Sequence, residues 1–441
     1  MLNVFYSLFI ILLVNIDIIL KFYKLNYVII AIFGLLLLVF VFAVPSIGRK
    51  KLKARQLTIC RNGCEQLKIF VLTGVLWVVS DIFVYAVLKQ EFTWTRYLVH
   101  TLVILLLEVG VFLSGILRVY IFSKQLGLVM RIVGVCTWYI PIVNLVVLYK
   151  IIKIVKTEVE YENNKLILNE DRKTEMICKT KYPLLLVHGV FFRDYKYFQY
   201  WGRIPDELTK NGAVIYYGNH QSASSVKNSS QELYERIKCI IKETGCEKVN
   251  IIGHSKGGLD SKYLLTYPDI EKYVASITTI NTPHYGCLFT DYIFSKMSKE
   301  TLESIARKYN DVLLKMGDKN PDFIAATRDL TTDTCKELNK EIHLNPNIFC
   351  QSIGSKLNKV ITGAFPLNYT SLFVKRFDGN NDGLVGENSF SWGNKYTFLD
   401  SKDRRGISHG DVIDLTRENL TNFDVREFYV GLVKELKNIG L

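Results

Sequence analysis

The sequence contains no cysteine or glycine motif of the kinds that hold a zinc ion or a nucleotide. Its nine cysteines include no C-x-x-C pair and no Cys/His metal spacing, and their odd number prevents complete internal pairing. No glycine-rich phosphate loop is present. Charged residues make up only 22% of the chain and hydrophobic residues 49%, a composition that excludes an intrinsically disordered protein.

Acidic residues are scarce in the first third of the chain. Residues 1–156 contain 17 Lys and Arg against 5 Asp and Glu, whereas the remainder contains 38 against 37, so the net charge of +13 belongs to one end. The same end holds the long apolar runs. The basic residues therefore indicate loops beside a membrane rather than a nucleic-acid groove, and we expect no nucleic-acid partner.

Five apolar runs occupy residues 2–20, 25–44, 69–88, 97–117 and 132–149. Each is close to the ~20 residues that cross a bilayer as a helix. The first run has no basic start and no small-residue cleavage site, so we expect it to be retained. The last run contains Pro141 and Asn144, which suit either a crossing or a helix lying in the interface. The sequence predicts an all-α transmembrane bundle of four to five spans over residues 1–150, followed by a polar linker over residues 151–181.

Residues 182–441 alternate short β-branched runs with helical patterns, which predicts one α/β domain. Residues 183–187 are apolar without alternation, as in a strand buried on both faces of a parallel sheet. Further strands are predicted over 212–216 and 249–252. The spacing of Ser229 and Glu232 predicts a capping box at the start of a helix that ends at Gly245.

The segment Gly253-His254-Ser255-Lys256-Gly257 is a G-x-S-x-G pattern between the predicted strand 249–252 and a helical run that ends before Pro268. In that setting the pattern indicates a sharp turn that exposes a nucleophilic serine hydroxyl. The flanking glycines leave room for neighbouring strands. Ser255 is therefore the candidate nucleophile.

A serine nucleophile needs a histidine base, which is itself oriented by a carboxylate. The expected chain order is Ser, then Asp or Glu, then a histidine near the C-terminus, and of the seven histidines only His409 fits. For the acid, Asp382 lies in an Asn-Asp-Gly turn that can project a carboxylate, but the residues alone leave Asp378 open as well.

Several ordered segments resemble the secreted bacterial triacylglycerol lipases of the Pseudomonas and Burkholderia type: residues 183–189, 201–208, 248–255, 281–286, 381–386 and 409–411. The resemblance implies an α/β-hydrolase fold (a mostly parallel sheet flanked by helices). It implies Ser255 as nucleophile, Asp382 as acid and His409 as base. It also implies an oxyanion hole formed by the backbone N–H groups of Val190 and Lys256.

Lipases of this family hold calcium near the catalytic histidine with two aspartates. Asp411 matches the aspartate beside the histidine, but residues 352–377 contain no Asp or Glu where the other is expected. A hard cation with one carboxylate fewer binds more weakly, if at all. We expect no cofactor, with Asp411 as the one weak metal candidate.

Residues 286–343 contain helical patterns, and one apolar stripe there suits either a lid over an acyl site or a helix packed on the core. The sequence thus predicts a membrane-anchored lipase or esterase that acts on carboxylic esters of lipids through an acyl-enzyme. Two alternatives are an acyltransferase with the same triad, and a non-enzymatic sensor or transporter that carries a hydrolase-like binding module.

The side of the membrane follows from positive charge in short loops. The basic residues between the second and third runs predict a cytoplasmic loop. Three further crossings would then place the hydrolase on the extracytoplasmic face, which is the orientation we expect. If the run that contains Pro141 does not cross, the hydrolase is internal.

Overall fold

The computed structural model describes residues 2–23, 27–87, 93–191, 199–221, 223–359 and 366–441, which form two units, Met1–Asp171 and Arg172–Leu441. The first unit is helical, with α1 (Leu2–Val14), α2 (Ile16–Tyr23), α3 (Tyr27–Ala43), α4 (Arg55–Val87), α5 (Trp94–Phe122), α6 (Leu128–Cys136) and α7 (Val143–Asp171). Helix α4 packs against α1, α5 and α7.

Two helices among the described residues, α4 and α5, are long and apolar enough to cross a membrane. Shorter apolar helices are Leu2–Val14 and Ile32–Ala43. Helices α4 and α5 approach closely at Gly63 and Gly115, because a Cβ at Gly63 would lie 2.9 Å from the carbonyl oxygen of Gly115. Such small residues permit tight helix pairing where apolar burial in water does not drive it.

The apolar run 132–149 does not form one continuous helix. Helix α6 ends at Cys136, Ile142 has a φ of 69°, and α7 begins at Val143. Pro141 lacks an N–H and clashes with the preceding turn of a helix, and the Asn144 side chain donates to the Trp138 carbonyl across the break. This run therefore forms two helices with a break between them rather than one continuous helix.

The predicted linker begins as helix, because α7 continues through residues 151–171. Its buried residues Leu148, Ile151, Val155 and Val159 recur every three or four positions and form one core cluster with residues of α4. The division between the two units, after Asp171, lies inside the segment that the sequence marks as linker.

Contacts join the residues before α4 to the second half of α7. The Lys53 backbone N–H donates to Asn163 Oδ1 at 3.0 Å, and Lys53 Nζ lies 2.5 Å from Glu170 Oε2. Residues 53 and 163–170 therefore lie close together, at the end of the unit where α4 begins.

The second unit contains a parallel sheet of β1 (Leu184–Val187), β2 (Ile215–Tyr217), β3 (Val249–His254), β4 (Val274–Ile280), β5 (Phe349–Ser355) and β6 (Lys395–Leu399), in the order β2-β1-β3-β4-β5-β6. Its helices are α8 (Ile204–Lys210), α9 (Val226–Thr244), α10 (Lys256–Tyr263), α11 (Leu288–Lys296), α12 (Lys299–Lys315), α13 (Phe323–Arg328), α14 (Thr332–Glu341), α15 (Leu367–Asp378) and α16 (Val425–Asn438).

The sheet has a core on each face, because alternate residues of a strand point to opposite sides. Leu184 and Leu186 of β1 pack with Trp201 on one face, whereas Leu185 and Val187 pack with α9 on the other. The parallel sheet with helices on both faces is an α/β-hydrolase fold, as the sequence predicts.

The start of α9 differs from the prediction. Its N-cap is Ser225, whose hydroxyl accepts from the Asn228 N–H, and Ser229 is buried inside the helix. The Glu232 carboxylate accepts hydrogen bonds from Gln221 rather than closing a capping box. The helix ends as predicted at Gly245, which has a φ of +71°.

Candidate active site

Ser255 lies in the turn between β3 and α10, with the strained backbone angles φ 56° and ψ −130°. Its N–H donates to the carbonyl of Ile280 at the end of the neighbouring strand β4, at 2.9 Å. A non-glycine residue at such a φ is uncommon and clusters at functional sites. Ser255 lines a cavity and lies in the turn where the G-x-S-x-G pattern predicts a nucleophilic serine.

The two glycines after Ser255 are required by space. A Cβ at Gly257 would lie 2.2 Å from the His188 carbonyl oxygen, and a Cβ at Gly258 would lie 1.9 Å from Thr282 Oγ1. Any larger residue would push α10 away from the loops that follow β1 and β4.

His409 and Asp382 are in direct contact. His409 Nδ1–H donates to Asp382 Oδ2 at 2.6 Å, and the His409 backbone N–H donates to the Asp382 carbonyl at 2.8 Å. The carboxylate of Asp382 is fully buried and accepts three further hydrogen bonds, from Asn281 Nδ2 and the backbone N–H groups of Leu384 and Val385. His409 therefore has a fixed orientation, with Nδ1 protonated.

The other candidate acid, Asp378, has a different place. Its two carboxylate oxygens accept from the backbone N–H groups of Leu288 and Phe289, at the start of α11. Burial raises the pKa of this carboxyl above its ordinary value. The structure thus brings Asp382 to His409, and it uses Asp378 to cap a helix.

Ser255 and His409 both line a cavity of about 610 Å³, a size in the usual ~300–1,000 Å³ range of ligand sites. Most of its wall is apolar, and α11, α12 and the segment between them contribute Ile293, Phe294, Met297, Leu302, Ile305 and Tyr309. The apolar stripe predicted from the sequence comprises Leu302, Ile305, Tyr309, Val312 and Met316, and the first three of these line the cavity. Two other members of that stripe, Val312 and Met316, are exposed.

The residues expected to form an oxyanion hole flank Ser255. Val190 lines the cavity, and a Cβ at the preceding Gly189 would lie only 3.0 Å from Ser255 Cβ. Lys256 is the first residue of α10, where backbone N–H groups have no acceptor within the helix and carry a partial positive charge.

The side chain of Lys256 points into a buried polar chain that the sequence did not reveal. Lys256 Nζ lies 2.6 Å from Asp260 Oδ1, and Asp260 Oδ2 lies 3.5 Å from His220 Nε2. The His220 ring stacks on the His188 ring with centroids 4.0 Å apart. Burial raises the pKa of Asp260 to about 6 despite the lysine.

His254 packs beside the candidate base. Its ring centroid lies 4.5 Å from that of His409, and its Nδ1 lies 2.6 Å from the hydroxyl oxygen of Tyr200. Burial lowers the pKa of His254 well below its usual range, so this ring is neutral and adds no charge next to His409.

Asp411, the weak metal candidate, is already held by the protein. Its Oδ1 lies 3.0 Å from Arg405 Nη2, and its Oδ2 accepts from the Ser408 N–H at 2.9 Å. Across the described residues, no group of three or more His, Cys, Asp or Glu side chains is placed to hold a metal ion. These residues do not fit a calcium site, because a guanidinium stands where a cation would lie.

Known proteins with similar sequences include several lipases. Residues 223–327 match the family model of a PGAP1-like alpha/beta domain. The chain is 33% identical over 165 residues to a triacylglycerol lipase of Pseudarthrobacter phenanthrenivorans, covering 35% of this chain and 51% of that protein. It is also 33% identical over 165 residues to a triacylglycerol lipase of Burkholderia plantarii, covering 35% and 46%. The matches thus span about half the length of these relatives.

Among solved structures, the lipase of Staphylococcus hyicus aligns with a TM-score of 0.47 and 20% identity, covering 59% of this chain and 96% of that one. Both sequence relatives are triacylglycerol lipases, so the likeness in sequence is to this class of enzyme.

Proposed function

We propose that this protein is a membrane-anchored serine hydrolase that cleaves carboxylic esters of lipids with Ser255, His409 and Asp382. The observation that carries the proposal is the strained Ser255 turn, in the wall of the cavity that also contains His409, whose other ring nitrogen is bonded to the buried Asp382. The hydrogen bond at Nδ1 leaves Nε2 unprotonated and able to accept the serine proton.

In the proposed reaction, Ser255 Oγ attacks the ester carbonyl carbon while His409 Nε2 takes the hydroxyl proton. The backbone N–H groups of Val190 and Lys256 stabilise the oxyanion of the tetrahedral intermediate. His409 then gives its proton to the leaving alcohol, and the acyl group stays on Ser255. Water, deprotonated by His409, attacks this acyl-enzyme and releases the carboxylic acid.

The apolar wall supports a substrate with a hydrocarbon chain. Apart from Ser255, His409 and a few other polar groups, side chains such as Phe294, Met297 and Leu302 surround the reacting position. Transfer of a hydrocarbon chain from water to such a wall is favourable in proportion to the area removed from water. In this proposal α11 and α12 act as a lid, which is one of the two alternatives that the sequence leaves open for residues 286–343.

Membrane anchoring is supported by exposed apolar side chains on the two long helices. In α4, Val78, Val79 and Ile82 are more than half exposed, and in α5 the same holds for Leu102 and Leu106. Two helices of 33 and 29 residues with such surfaces match the environment of a bilayer rather than water.

The hydrolase domain is proposed to lie on the cytoplasmic side, opposite to the expectation from the sequence. A hydrolase domain on the extracytoplasmic face requires residues 132–149 to cross the membrane, and this run is interrupted between the end of α6 at Cys136 and the start of α7 at Val143. The basic residues at positions 49–61 favour a cytoplasmic start of α4. Because Lys53 contacts Asn163 and Glu170, the end of α7 lies on that same side, and the chain continues from there into Arg172.

Hydrolysis of p-nitrophenyl esters by the full chain in detergent, with short and long acyl groups, tests the activity. We expect Ser255→Ala to lower turnover by several orders of magnitude, with His409→Ala similarly severe and not additive with it. A fluorophosphonate probe should label Ser255 alone. Near-normal turnover in Ser255→Ala, or labelling elsewhere, would refute the assignment. Product analysis with an added acceptor alcohol separates hydrolysis from acyl transfer.

Protease treatment of intact cells that carry a C-terminal epitope tests the sidedness. We expect the epitope to survive in intact cells and to be lost after permeabilisation. Loss of the epitope in intact cells would place the hydrolase outside and would show that the chain crosses the membrane once more than proposed.

A further inference from the structure

A second cavity, of about 410 Å³, lies in the first unit where the start of α4 meets α7. Five of the residues that line it are basic: Arg49, Lys50, Arg61, Lys68 and Lys156. Two are acidic, Glu65 and Glu160, and the amides of Asn163 and Asn164 also contribute. The wall therefore has an excess of positive charge and several neutral donors.

The acidic residues do not neutralise this wall. Glu65 is buried and is ion-paired with two cations, since Arg49 Nη2 and Lys68 Nζ each lie 2.8 Å from its carboxylate. Glu160 is exposed and lies 3.7 Å from Lys156. The Coulomb repulsion among the remaining cations favours an anion between them.

Neither Lys50 nor Arg61 forms a short ion pair with a carboxylate in the part of the chain that the structure describes, although Arg61 lies within electrostatic range of Glu65. Arg61 Nη1 donates to the Lys50 carbonyl at 2.6 Å, while its buried Nε has no hydrogen-bond partner among the described residues. Because Arg61 lines the cavity, its guanidinium can donate a charge-assisted hydrogen bond to an anionic oxygen bound there.

The position of the cavity along α4 is at the membrane surface in the proposed arrangement. A helix of 33 residues is about 50 Å long, and the hydrocarbon core of a bilayer is about 30 Å thick. Arg61, Glu65 and Lys68 precede the apolar stretch that begins at Ile69, so they lie beside the lipid head groups. This location rests on the proposed membrane insertion, whereas the charge of the cavity does not.

We propose that this cavity binds the phosphate group of an anionic ligand, and that the ligand is the head group of an anionic lipid in the cytoplasmic leaflet. Basic pockets between membrane helices on the cytoplasmic side suit such head groups, and the planar guanidinium of Arg61 matches phosphate geometry. The wall also includes Lys156 and Asn164 of α7, so polar groups from two segments about 100 residues apart in the chain converge on the cavity.

The test is binding of dialkyl ether phosphatidylglycerol to the full chain in detergent micelles, followed by native mass spectrometry. Ether-linked lipids contain no carboxylic ester, so the result does not depend on whether the protein is a hydrolase. We expect at least about tenfold tighter binding than for dialkyl ether phosphatidylcholine, which corresponds to ~1.4 kcal/mol.

The double variant Arg61→Gln/Lys156→Gln should weaken phosphatidylglycerol binding by about tenfold or more, as expected from the loss of charge-assisted contacts. The matched control is Arg55→Gln/Lys153→Gln, which removes one arginine from α4 and one lysine from α7 outside the cavity. The control should change binding less than about twofold, as expected for exposed charges. Circular dichroism verifies that both variants stay helical.

Inorganic phosphate, added as a competitor, separates the two sources of the phosphate group. Weak competition supports a lipid head group, whereas competition as strong as that of the lipid means that the cavity takes a soluble phosphate compound and overturns the lipid assignment. Equal weakening by both double variants, or no preference of the wild type for the anionic lipid, would overturn the site itself.

Discussion

Replacement of Asp382 by asparagine tests the proposed triad most sharply, because the two side chains have almost the same shape. In the wild type, Oδ2 accepts from His409 Nδ1 and Asn281 Nδ2 at 2.6 and 2.7 Å. Oδ1 accepts from the N–H groups of Leu384 and Val385 at 2.9 and 2.8 Å. The side-chain amide of the introduced asparagine can be turned either way, and in each orientation its NH₂ group faces two hydrogen-bond donors that need an acceptor.

The two orientations are not equally costly. Backbone N–H groups cannot become acceptors, so an NH₂ group facing Leu384 and Val385 would leave two buried donors unpaired, at ~1–3 kcal/mol each. An NH₂ group facing His409 meets a ring that can change tautomer. The introduced amide would therefore donate to His409 Nδ1, and the ring proton would move to Nε2, where it blocks acceptance of the Ser255 proton.

The expected result of Asp382→Asn is a fall of roughly 10⁴-fold in kcat for p-nitrophenyl butyrate. This corresponds to an activation barrier raised by about 5.5 kcal/mol. The assay uses the full chain in detergent, with circular dichroism to confirm folding. Asp378→Asn is the matched control, because that carboxylate caps α11 and does not touch His409. Its kcat should fall less than about tenfold, since a lost cap costs only ~0.5–2 kcal/mol.

A kcat for Asp382→Asn within tenfold of the wild type would refute the tautomer argument. Equal losses in the Asp382 and Asp378 variants would refute it as well, because they would show that any change at this end of the sheet disables the enzyme.

Further predictions concern stability and metal dependence. Gly258→Ala should destabilise the fold by ~1–3 kcal/mol and so lower the midpoint temperature of heat inactivation, because its Cβ would collide with a threonine hydroxyl. Gly431→Ala is the control that should not destabilise the fold, because nothing lies within 4 Å of the added Cβ. Lys256→Met should cost ~3–5 kcal/mol by leaving Asp260 unpaired, and adding Asp260→Leu should recover most of that loss. Burial raises the pKa of Asp260 from 3.8 to about 6, so the folded state holds this proton more tightly than the unfolded state. The contribution of Asp260 to the free energy of unfolding is therefore most favourable below about pH 4 and is lost as the pH rises through about 6. The double variant should lack this pH dependence of stability. Chelators should change activity and heat inactivation little, because Asp411 is already occupied by an arginine, and a large loss restored specifically by calcium would contradict this.

The strand and turn positions around Ser255 follow from local sequence alone. The apolar run at 249–252 and the glycines after Ser255 predict a buried strand and a sharp turn, and both are present. The choice between Asp382 and Asp378 is different, because it depends on which carboxylate the chain brings to His409, which lies 27 positions beyond Asp382 and on the far side of β6. The turn chemistry of the sequence favours Asp382 only slightly, and the resemblance to lipases favours it strongly.

The failures have physical causes that a pattern does not contain. The sequence assigns the part of α7 after residue 150 to the linker, because its charged residues hide an apolar spacing of three and four positions. The Asn281 contact with Asp382 and the Arg405 contact with Asp411 join segments that are distant in sequence or separated by a turn. Asn281 lies in a segment that resembles the lipases, but the sequence does not indicate that its amide donates a hydrogen bond to Asp382.

The side chain of Lys256 has a structural role in addition to the role proposed for its backbone N–H in the oxyanion hole. The sequence requires only its N–H, which any residue could supply, and lipases of the resembling family often have histidine there. The buried ammonium nevertheless pairs with Asp260, which adjoins His220, and the stacked His188 leads directly into the loop of Val190. The two proposed oxyanion donors are thus the ends of one continuous set of buried contacts. A change at Asp260 should therefore be judged by kcat as well as by heat inactivation, because both donors rest on the same contacts.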